Sequence, residues 1–254
     1  MSTPTTARRT ALVTGSTSGI GAATARALAA DGMHVVITGR DRARAQAVID
    51  EITDDRGSAV FVPSDLTADP DELRAFAHAA VVAAGGHLDL LVHNAAVCIV
   101  KDTPGLDDDE LQTTLAVNVR APHVLTAALA PGMVERGSGS IIVIGSWMAE
   151  VGHPFVGLYA ASKAAEQELA RCWAAEFGPR GVRVNCVAPG ATRTPINDET
   201  SDAIDALTAV IPARRSGTPD DVAAAVAWLA SDASSYVHGT VLEVDGGITA
   251  THSS

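Results

Sequence analysis

Short apolar runs that favour β-strands alternate with longer helical segments along almost the whole chain. Runs such as 35–37 and 141–144 are continuously apolar, which is typical of strands in a parallel sheet covered on both faces. The strand candidates are Thr10–Thr14, His34–Thr38, Ala59–Pro63, Leu88–His93, Ser140–Ile144, Arg183–Val187 and Thr240–Val244. The helical candidates are Ile20–Ala30, Arg42–Asp54, Pro70–Ala84, Asp107–Arg136, Leu158–Phe177 and Pro219–Ser231. This alternation predicts an α/β fold with a doubly wound, Rossmann-type, seven-stranded parallel sheet flanked by helices on both faces.

The 254 residues contain no internal repeat and no low-complexity linker, so we expect a single domain spanning 1–254. One segment, about 190–217, separates the sixth strand candidate from the last helix candidate without a clear periodic pattern. A connection of that length in a compact domain is usually functional. We therefore expect a flexible loop that closes over a substrate.

Composition narrows the classes of partner and compartment. The net charge of −12 and the pI near 4.9 disfavour nucleic acid and anionic membrane surfaces, and no apolar run is long enough to span a bilayer. The polar segment 1–9 lacks the apolar core of a signal peptide. The three cysteines, Cys98, Cys172 and Cys186, are few and far apart, which favours a protein of the reducing cytoplasm. They show no metal-ligand spacing, so we expect no metal site. A small-molecule partner is expected.

A glycine-rich turn follows the first strand candidate. It reads Thr14-Gly15-Ser16-Thr17-Ser18-Gly19-Ile20-Gly21 and leads into an alanine-rich helix. The glycines permit a tight turn and close approach of a ligand, and the helix N-terminus favours an anion such as a pyrophosphate. No Lys-Ser/Thr pair follows, so a Walker-type loop is excluded. A purely structural turn is the alternative.

The end of the second strand candidate bears on the choice of dinucleotide. An acidic residue there would accept hydrogen bonds from the ribose of NAD, whereas an arginine would accommodate the 2′-phosphate of NADP. Gly39 occupies the acidic position and Arg40 follows it. We therefore expect a preference for NADP, although Asp41 leaves NAD open.

Tyr159 and Lys163 are four residues apart on a predicted helix, in a chain with two tyrosines and two lysines. Residues at this spacing share one helix face. An ammonium beside a phenol favours the phenolate, so the pair predicts a tyrosine whose pKa lies below about 10 and that exchanges protons near neutral pH. An accidental surface pair is the alternative.

Together these features resemble the short-chain dehydrogenase/reductase (SDR) family, in its branch of about 250 residues, from Leu12 to Gly247. The matching motifs are TGxxxGxG at Thr14–Gly21, Asp65 after the third strand, Asn118 in a helix, Ser146 thirteen residues before Tyr159, YxxSK at Tyr159–Lys163, and PGxxxT at Pro189–Thr194. The family's Asn-Asn-Ala-Gly segment is altered to His93-Asn94-Ala95-Ala96.

The resemblance implies an enzyme that transfers a hydride between a nicotinamide cofactor and a ketone or secondary alcohol. Tyr159 would exchange the proton, Ser146 would bind the substrate oxygen, and Lys163 would bind the nicotinamide ribose. Asn118 would hold a water that relays protons. The implied cofactor contacts are Gly15, Thr17, Ser18, Gly19, Ile20, Gly21, Arg40, Asp65, Leu66, Asn94, Ala95, Tyr159, Lys163, Pro189, Gly190, Thr192 and Thr194.

The residues that flank the catalytic set predict the substrate pocket, which consists of Ser146, Trp147, Met148, His153 and Phe155. This lining is mainly apolar, which favours a hydrophobic ketone or alcohol. His153 is either a second acid/base or an ordinary polar loop residue.

Two rival functions remain open, and the resemblance also implies an assembly. One rival is a 3-oxoacyl carrier protein reductase, which would need a basic docking patch such as Arg136 and Arg180. The other is a catalytically idle dinucleotide-binding redox sensor, which the intact catalytic set disfavours. A homotetramer, or a homodimer, is implied through the helices at Asp107–Arg136 and Leu158–Phe177.

Overall fold

The computed structural model describes residues 8–194 and 201–251 and contains the predicted parallel sheet. Its seven strands are β1 (Thr10–Val13), β2 (His34–Gly39), β3 (Ser58–Pro63), β4 (Leu90–His93), β5 (Gly139–Ile144), β6 (Val182–Pro189) and β7 (Val241–Val244). They lie in the order β3-β2-β1-β4-β5-β6-β7, and every neighbouring pair is parallel. The order reverses between β1 and β4, which is the usual place for a ligand crevice in such a sheet.

The register of the central strands explains why their apolar runs are continuous. Leu12 pairs with Leu91, which pairs with Ile141, and all three are fully buried on one face of the sheet. The next residue in each strand points to the opposite face. There Val92 pairs with Val13 and Ile142, again without exposure. A sheet buried on both faces needs helices on both sides.

Eight α-helices of the described chain supply that cover. They are α1 (Gly19–Ala30), α2 (Arg42–Asp54), α3 (Pro70–Ala83), α4 (Asp108–Leu115), α5 (Ala121–Arg136), α6 (Gly157–Phe177), α7 (Ser201–Thr208) and α8 (Pro219–Ala230). Helices α1, α2 and α8 contribute to the core on one face, and α3, α5 and α6 to the core on the other. Within residues 8–194 and 201–251, no helix is both long and apolar enough to cross a membrane.

The helix predicted over Asp107–Arg136 is not continuous. A π-helical turn, Ala116–Arg120, separates α4 from α5, and the N–H of Ala121 donates to the carbonyl of Ala116 five residues earlier. Pro122 has no N–H, so the α-helical hydrogen bond to the carbonyl of Asn118 cannot form. The proline explains why the wider turn lies here, in a position where π turns often mark functional sites.

The segment 190–217 also differs from the single loop that the pattern indicates. Its described part contains α7 and a parallel bridge between Thr192 and Gly217, which ties the two ends of the segment together. Residues 195–200 lie outside the described chain, so the expected flexibility of this segment stays a prediction.

Candidate active site

The candidate functional residues converge at one edge of the sheet, although the sequence scatters them over 180 positions. The glycine turn follows β1, Arg40 follows β2, and Asp65 follows β3. The segment from Asn94 follows β4, Ser146 follows β5, and Gly190–Thr194 follows β6. Because the strands are parallel, their carboxyl ends share one edge, and the residues predicted for catalysis and cofactor binding meet there.

The glycine turn is held from below by buried hydroxyl groups. Ser16 is fully buried; its Oγ donates to the carbonyl of Val13 at 2.7 Å and accepts from the N–H of Thr38 at 2.9 Å. Asn94 clamps the other side, since its Nδ2 donates to the carbonyls of Thr14 at 2.8 Å and Gly15 at 3.1 Å. The turn is therefore rigidly placed between β1, β2 and β4.

The turn fits a dinucleotide because its glycines leave no room for side chains. Gly15 has a φ of +63°, and a Cβ on Gly21 would lie 2.4 Å from both the Asn94 amide nitrogen and the Gly15 carbonyl oxygen. Helix α1 begins directly after Ser18, whose side chain makes no capping hydrogen bond. The amides of the first helical turn thus have no side-chain acceptor, as suits a bound pyrophosphate.

The residues that would choose between NAD and NADP occupy different environments. A Cβ on Gly39 would lie 2.8 Å from the Thr17 methyl group, so the expected acidic side chain has no room at this position. Asp41 caps α2, accepting from the N–H groups of Ala43 and Arg44 at 2.9 and 3.0 Å. Arg40 is exposed, and no carboxylate of the described chain lies within ion-pair distance of it.

Asp65 lies just after β3, at the same edge of the sheet as Gly39 and Arg40. Its Oδ1 accepts from the N–H and hydroxyl of Thr67 at 2.9 and 2.7 Å, and these hydrogen bonds lower the pKa of Asp65. The neighbouring Leu66 is buried in the core. Arg120 of the π turn donates to the carbonyls of Thr67 and Ala68 at 2.7 Å, which ties the Asp65 loop to the catalytic helices.

The turn after β6 packs closely against the end of β7. A Cβ on Gly190 would lie 2.5 Å from the Asp245 Cα, and the N–H of Gly190 donates to the carbonyl of Val244 at 3.0 Å. Thr192 is buried, and its hydroxyl donates to the carbonyl of Gly190 at 3.0 Å. Pro189 ends β6 and Thr194 is the last described residue before the gap.

Asn118 connects the π turn to the catalytic helix. Its side chain is fully buried and donates to the hydroxyl of Ser162 at 2.9 Å, and Ser162 in turn donates to the carbonyl of Tyr159 at 2.7 Å. The Asn118 amide also exchanges two hydrogen bonds with the backbone of Val97. Ser162, which is not among the predicted site residues, is thus the link that places Tyr159 relative to Asn118.

Ser146, Tyr159 and Lys163 form one cluster. Ser146 is 5% exposed, its hydroxyl lies close enough to Tyr159 to lower the pKa of the phenol, and it accepts from the N–H of Met148 at 3.2 Å. The Lys163 Nζ lies 5.9 Å from the centre of the Tyr159 ring. It donates to the carbonyl of Ile144 at 2.8 Å and is almost completely buried. The structure therefore brings together all four predicted catalytic residues.

The electrostatics of the phenol differ from the expectation drawn from the Tyr159–Lys163 spacing. Burial raises the pKa of Tyr159, and the opposing effects of Lys163 and of the Ser146 hydroxyl are smaller. Two causes explain the difference. The pocket withdraws the phenol from water, which disfavours the phenolate. A carboxylate that the sequence reasoning missed, Glu166, lies against Lys163 and offsets its charge.

Glu166 and Cys98 are two further residues of this site that the sequence reasoning did not single out. The Glu166 Oε2 lies 2.6 Å from the Lys163 Nζ, and its i,i+3 spacing from Lys163 was a usable signal. Cys98 interacts electrostatically with both Lys163 and Tyr159, and burial raises the pKa of its thiol. No local pattern marks Cys98, because the chain fold alone places it there.

The residues predicted to line the substrate pocket differ in how far they are buried. Trp147 is buried at the start of a short 3₁₀ turn, and its ring meets the edge of the His153 ring at 6.3 Å. Met148 is half-buried. Phe155 is 56% exposed with a φ of +68°, and its carbonyl accepts from the N–H of Lys101 at 2.8 Å. His153 is exposed, as expected of a loop residue.

Comparison with known proteins agrees with this geometry. A family model described as Enoyl-(Acyl carrier protein) reductase matches residues 15–249. The 3beta-hydroxysteroid dehydrogenase 1 of Eggerthella lenta is 38% identical over 95% of this chain and 94% of its own length. A solved structure named as a short chain dehydrogenase/reductase family protein is 44% identical, with a TM-score of 0.87 over 96% of this chain and 98% of the other. The chain belongs to the short-chain dehydrogenase/reductase family.

A further solved structure that resembles the chain contains a bound cofactor. It is a 3-oxoacyl (acyl-carrier-protein) reductase from Agrobacterium tumefaciens C58 with NADP bound, 32% identical, with a TM-score of 0.88 over 94% of this chain and 93% of the other. The expectation of an SDR enzyme, a dehydrogenase/reductase acting on alcohols and carbonyl compounds with NAD(P), is confirmed.

The two departures from the SDR pattern are accommodated without backbone strain. Ala96 is not among the described non-glycine residues with positive φ, so its methyl group needs no unusual conformation. His93 is 2% exposed, and its Nε2 hydrogen-bonds the Thr126 hydroxyl at 2.8 Å. Burial and, to a smaller extent, the charge of Lys163 lower the pKa of His93 to about 3. His93 is therefore a neutral core residue near neutral pH.

Proposed function

We propose that this SDR enzyme interconverts a hydrophobic ketone and its secondary alcohol, with Tyr159 as the group that exchanges the proton. The observation that carries the proposal is the cluster of Ser146, Tyr159 and Lys163 at the same edge of the sheet as the glycine turn. A bound nicotinamide dinucleotide would supply or accept the hydride. Because Ser146 is near enough to Tyr159 to lower the pKa of the phenol, both hydroxyl groups would reach a single substrate oxygen.

Each residue then has a distinct role in handling the proton. Tyr159 donates its phenolic proton to the substrate oxygen in reduction and takes it back in oxidation. Ser146 donates a hydrogen bond to that oxygen as negative charge develops on it. Lys163 favours the ionised phenol and would also bind the nicotinamide ribose. Asn118 would hold a water that relays protons, and its own backbone carbonyl cannot accept an α-helical hydrogen bond because Pro122 has no N–H.

The substrate class follows from the lining of the pocket. Trp147 and Met148 directly follow Ser146 in the chain, and the exposed Phe155 lies four residues before Tyr159; these apolar side chains suit an aliphatic, cyclic or aromatic compound. The hydroxysteroid dehydrogenase that the chain resembles acts, by its name, on such a compound. Absorbance at 340 nm across a panel of ketones and alcohols tests the class. Turnover of polyols but not of apolar ketones would contradict it.

A 3-oxoacyl carrier protein reductase is the second candidate, favoured by the likeness to a reductase of that name. The proposed docking arginines are partly engaged elsewhere. Arg136 donates to the carbonyls of Gly132 and Leu88, and Arg180 lies over the Phe177 ring at 5.8 Å. Comparing a 3-oxoacyl group on a carrier protein with the same group on a small thiol separates the candidates. Faster turnover of the carrier form would favour this reductase.

An idle redox sensor is the remaining rival. It would bind the dinucleotide without turnover. The complete set of Asn118, Ser146, Tyr159 and Lys163 disfavours this role, because a sensor does not need a proton donor at the substrate position. Tight cofactor binding combined with silence across the whole substrate panel would support the sensor instead.

We infer a preference for NADP from Arg40, and replacing this arginine tests it. Arg40→Ala should raise the KM for NADP by roughly 10- to 100-fold, since one charged hydrogen bond is worth about 1.5–3 kcal/mol. The KM for NAD should change little. Steady-state kinetics with both cofactors measure this. Arg42→Ala is the matched control, because the Arg42 guanidinium lies over the Phe61 ring instead, at 5.2 Å. Equal effects of Arg40→Ala on both cofactors would refute the preference.

Assembly and compartment are part of the same proposal. A groove with apolar and charged residues separates α5 from α6 and includes Pro131, Val134, Trp173 and Phe177. We propose that these helices form the contacts of a homotetramer, and light scattering at micromolar concentration tests it. A monomer would contradict the assembly. The free thiols of Cys98, Cys172 and Cys186 favour the cytoplasm.

A further inference from the structure

Glu166 is a buried carboxylate in direct contact with the proposed catalytic lysine. It lies on α6, one turn after Lys163, and its side chain is 1% exposed while that of Lys163 is 2% exposed. The Oε2 atom lies 2.6 Å from the Lys163 Nζ. Beyond Lys163, neither carboxylate oxygen has a hydrogen-bond partner among the described residues. Among the described residues, the close polar contact of the Glu166 carboxylate is therefore with Lys163.

Packing alone does not explain a carboxylate at this position. A buried charge loses its hydration, and replacing a buried ion pair with apolar residues of similar size is often neutral or stabilising. The surroundings of Glu166 include the strand β6 and the core helix α6, where an apolar side chain would serve packing equally well. The carboxylate instead changes the charge next to Lys163 and Tyr159.

The titratable groups around this pair come from three elements. Glu166 interacts electrostatically with Lys163 and Tyr159, which lie on α6 as it does, and with Cys186, which lies on β6. From β4 and the loop after it, His93 and Cys98 interact with Lys163. Of these, His93 and both thiols are neutral at pH 7, because the pKa of His93 is about 3, that of Cys186 is about 12, and that of Cys98 is raised. Burial raises the pKa of Glu166 to about 7, so within this cluster its charge changes near neutrality.

We propose that Glu166 is a positioning residue whose carboxylate holds Lys163 as an ammonium ion and offsets part of the pull of that charge on the Tyr159 phenol. The proposal rests on the proposed function in that Tyr159 is the proton donor and acceptor. Its sign follows from electrostatics. A negative charge raises the proton affinity of every neighbouring group, so removing it lowers the pKa of both Tyr159 and Lys163.

The chain allows this to be measured directly, because it has two tyrosines and two lysines. Protein labelled with ¹³C at tyrosine Cζ and lysine Cε gives two signals of each kind by NMR. Tyr236 is fully exposed and Lys101 pairs with Glu110 at the surface, so these two serve as internal references. The titration needs no cofactor and no substrate.

Glu166→Gln should shift the titrations of both Tyr159 and Lys163 to lower pH by about one unit or more, while the Tyr236 and Lys101 signals stay in place. Glu168→Gln is the matched control. Glu168 lies two residues further along the same helix, 65% exposed and paired with Arg171, so removing its charge should leave both titrations unchanged. Unchanged Tyr159 and Lys163 titrations in Glu166→Gln would overturn the proposal.

Two further measurements keep the proposal testable if Glu166→Gln does not fold. In the unaltered protein, the Lys163 and Tyr159 signals should each show an additional inflection near pH 7 as Glu166 ionises. Its absence would overturn the proposal without any variant. Glu166→Asp, which keeps the charge, should give Tyr159 and Lys163 titrations close to those of the unaltered protein.

Activity gives an independent readout of the same charge. In Glu166→Gln, the alkaline rise of alcohol oxidation should move to lower pH, since oxidation needs the ionised phenol. If no substrate is turned over but the NMR shifts appear, the proposed function fails and the role of Glu166 stands. If turnover is found but the titrations and the pH profile do not move, the role of Glu166 fails alone.

Discussion

Tyr159→Phe is expected to lower kcat by about 10²- to 10⁴-fold while leaving the affinity for the cofactor within a few-fold of the unaltered protein. Phenylalanine keeps the aromatic ring but removes the hydroxyl that, in the proposed mechanism, exchanges the proton. Because the loss concerns the transition state, kcat and kcat/KM should fall together.

Initial rates at 340 nm measure the turnover of Tyr159→Phe, and quenching of tryptophan fluorescence measures cofactor binding. Tyr236→Phe is the control, because this second tyrosine is fully exposed and far from the cluster in sequence. It should retain full activity. A Tyr159→Phe protein that works within twofold of the unaltered enzyme would remove the basis of the proposed mechanism.

Acidification is expected to destabilise the fold strongly through His93. A histidine that titrates at about 3 in the folded state and near 6.5 when unfolded binds its proton later in the folded state. Its contribution to stability is complete above pH 6.5 and is lost as the pH falls toward 3. The loss over that window is about 5 kcal/mol, a large part of the stability of an ordinary domain.

Comparison with His93→Asn isolates this effect. The free energy of unfolding, measured with urea between pH 7 and pH 3, should fall about 5 kcal/mol further in the unaltered protein than in His93→Asn. The difference between the two proteins is used because Glu166, which both contain, changes the free energy of unfolding with pH in the opposite direction. Its raised pKa favours the folded state at low pH and disfavours it as the pH rises through about 7.

His78→Asn is the control for His93→Asn, since His78 is exposed on α3. It should show the same dependence on pH as the unaltered protein. Parallel curves for the unaltered protein and His93→Asn would mean that the buried ring does not resist protonation.

Much of the fold was predictable because its signals are local. Continuous apolar runs identified all seven strands, with the central ones correct to within two residues, and the Pro and Asp residues that begin α3 mark that helix in the sequence. The short helix α7 was missed, since its eight residues span only about two helical turns, which is too short a stretch for a repeat to be recognised. The break between α4 and α5 was also missed, although Pro122 removes the N–H that a continuous helix needs.

The candidate site was predictable where a residue's role depends on spacing along one element. Tyr159 and Lys163 share a face of α6, and Gly15, Gly19 and Gly21 act within one turn. The direction of the Tyr159 pKa was not predictable in this way. It depends on how completely β5, α6 and the loops remove water from the phenol, and on a carboxylate that neutralises the neighbouring ammonium.

The amino-acid sequence by itself determined the order of strands and helices, the glycine turn, and which hydroxyl and amine are the proposed catalytic groups, because backbone hydrogen bonding and side-chain spacing act over a few residues. Only the tertiary structure determined how far the pKa values of the buried groups shift, and in which direction. Burial of Glu166 against Lys163, and of His93 against Thr126, arises where elements distant in sequence exclude water together. The free energy of a charge depends on that exclusion, which no single segment of the chain contains.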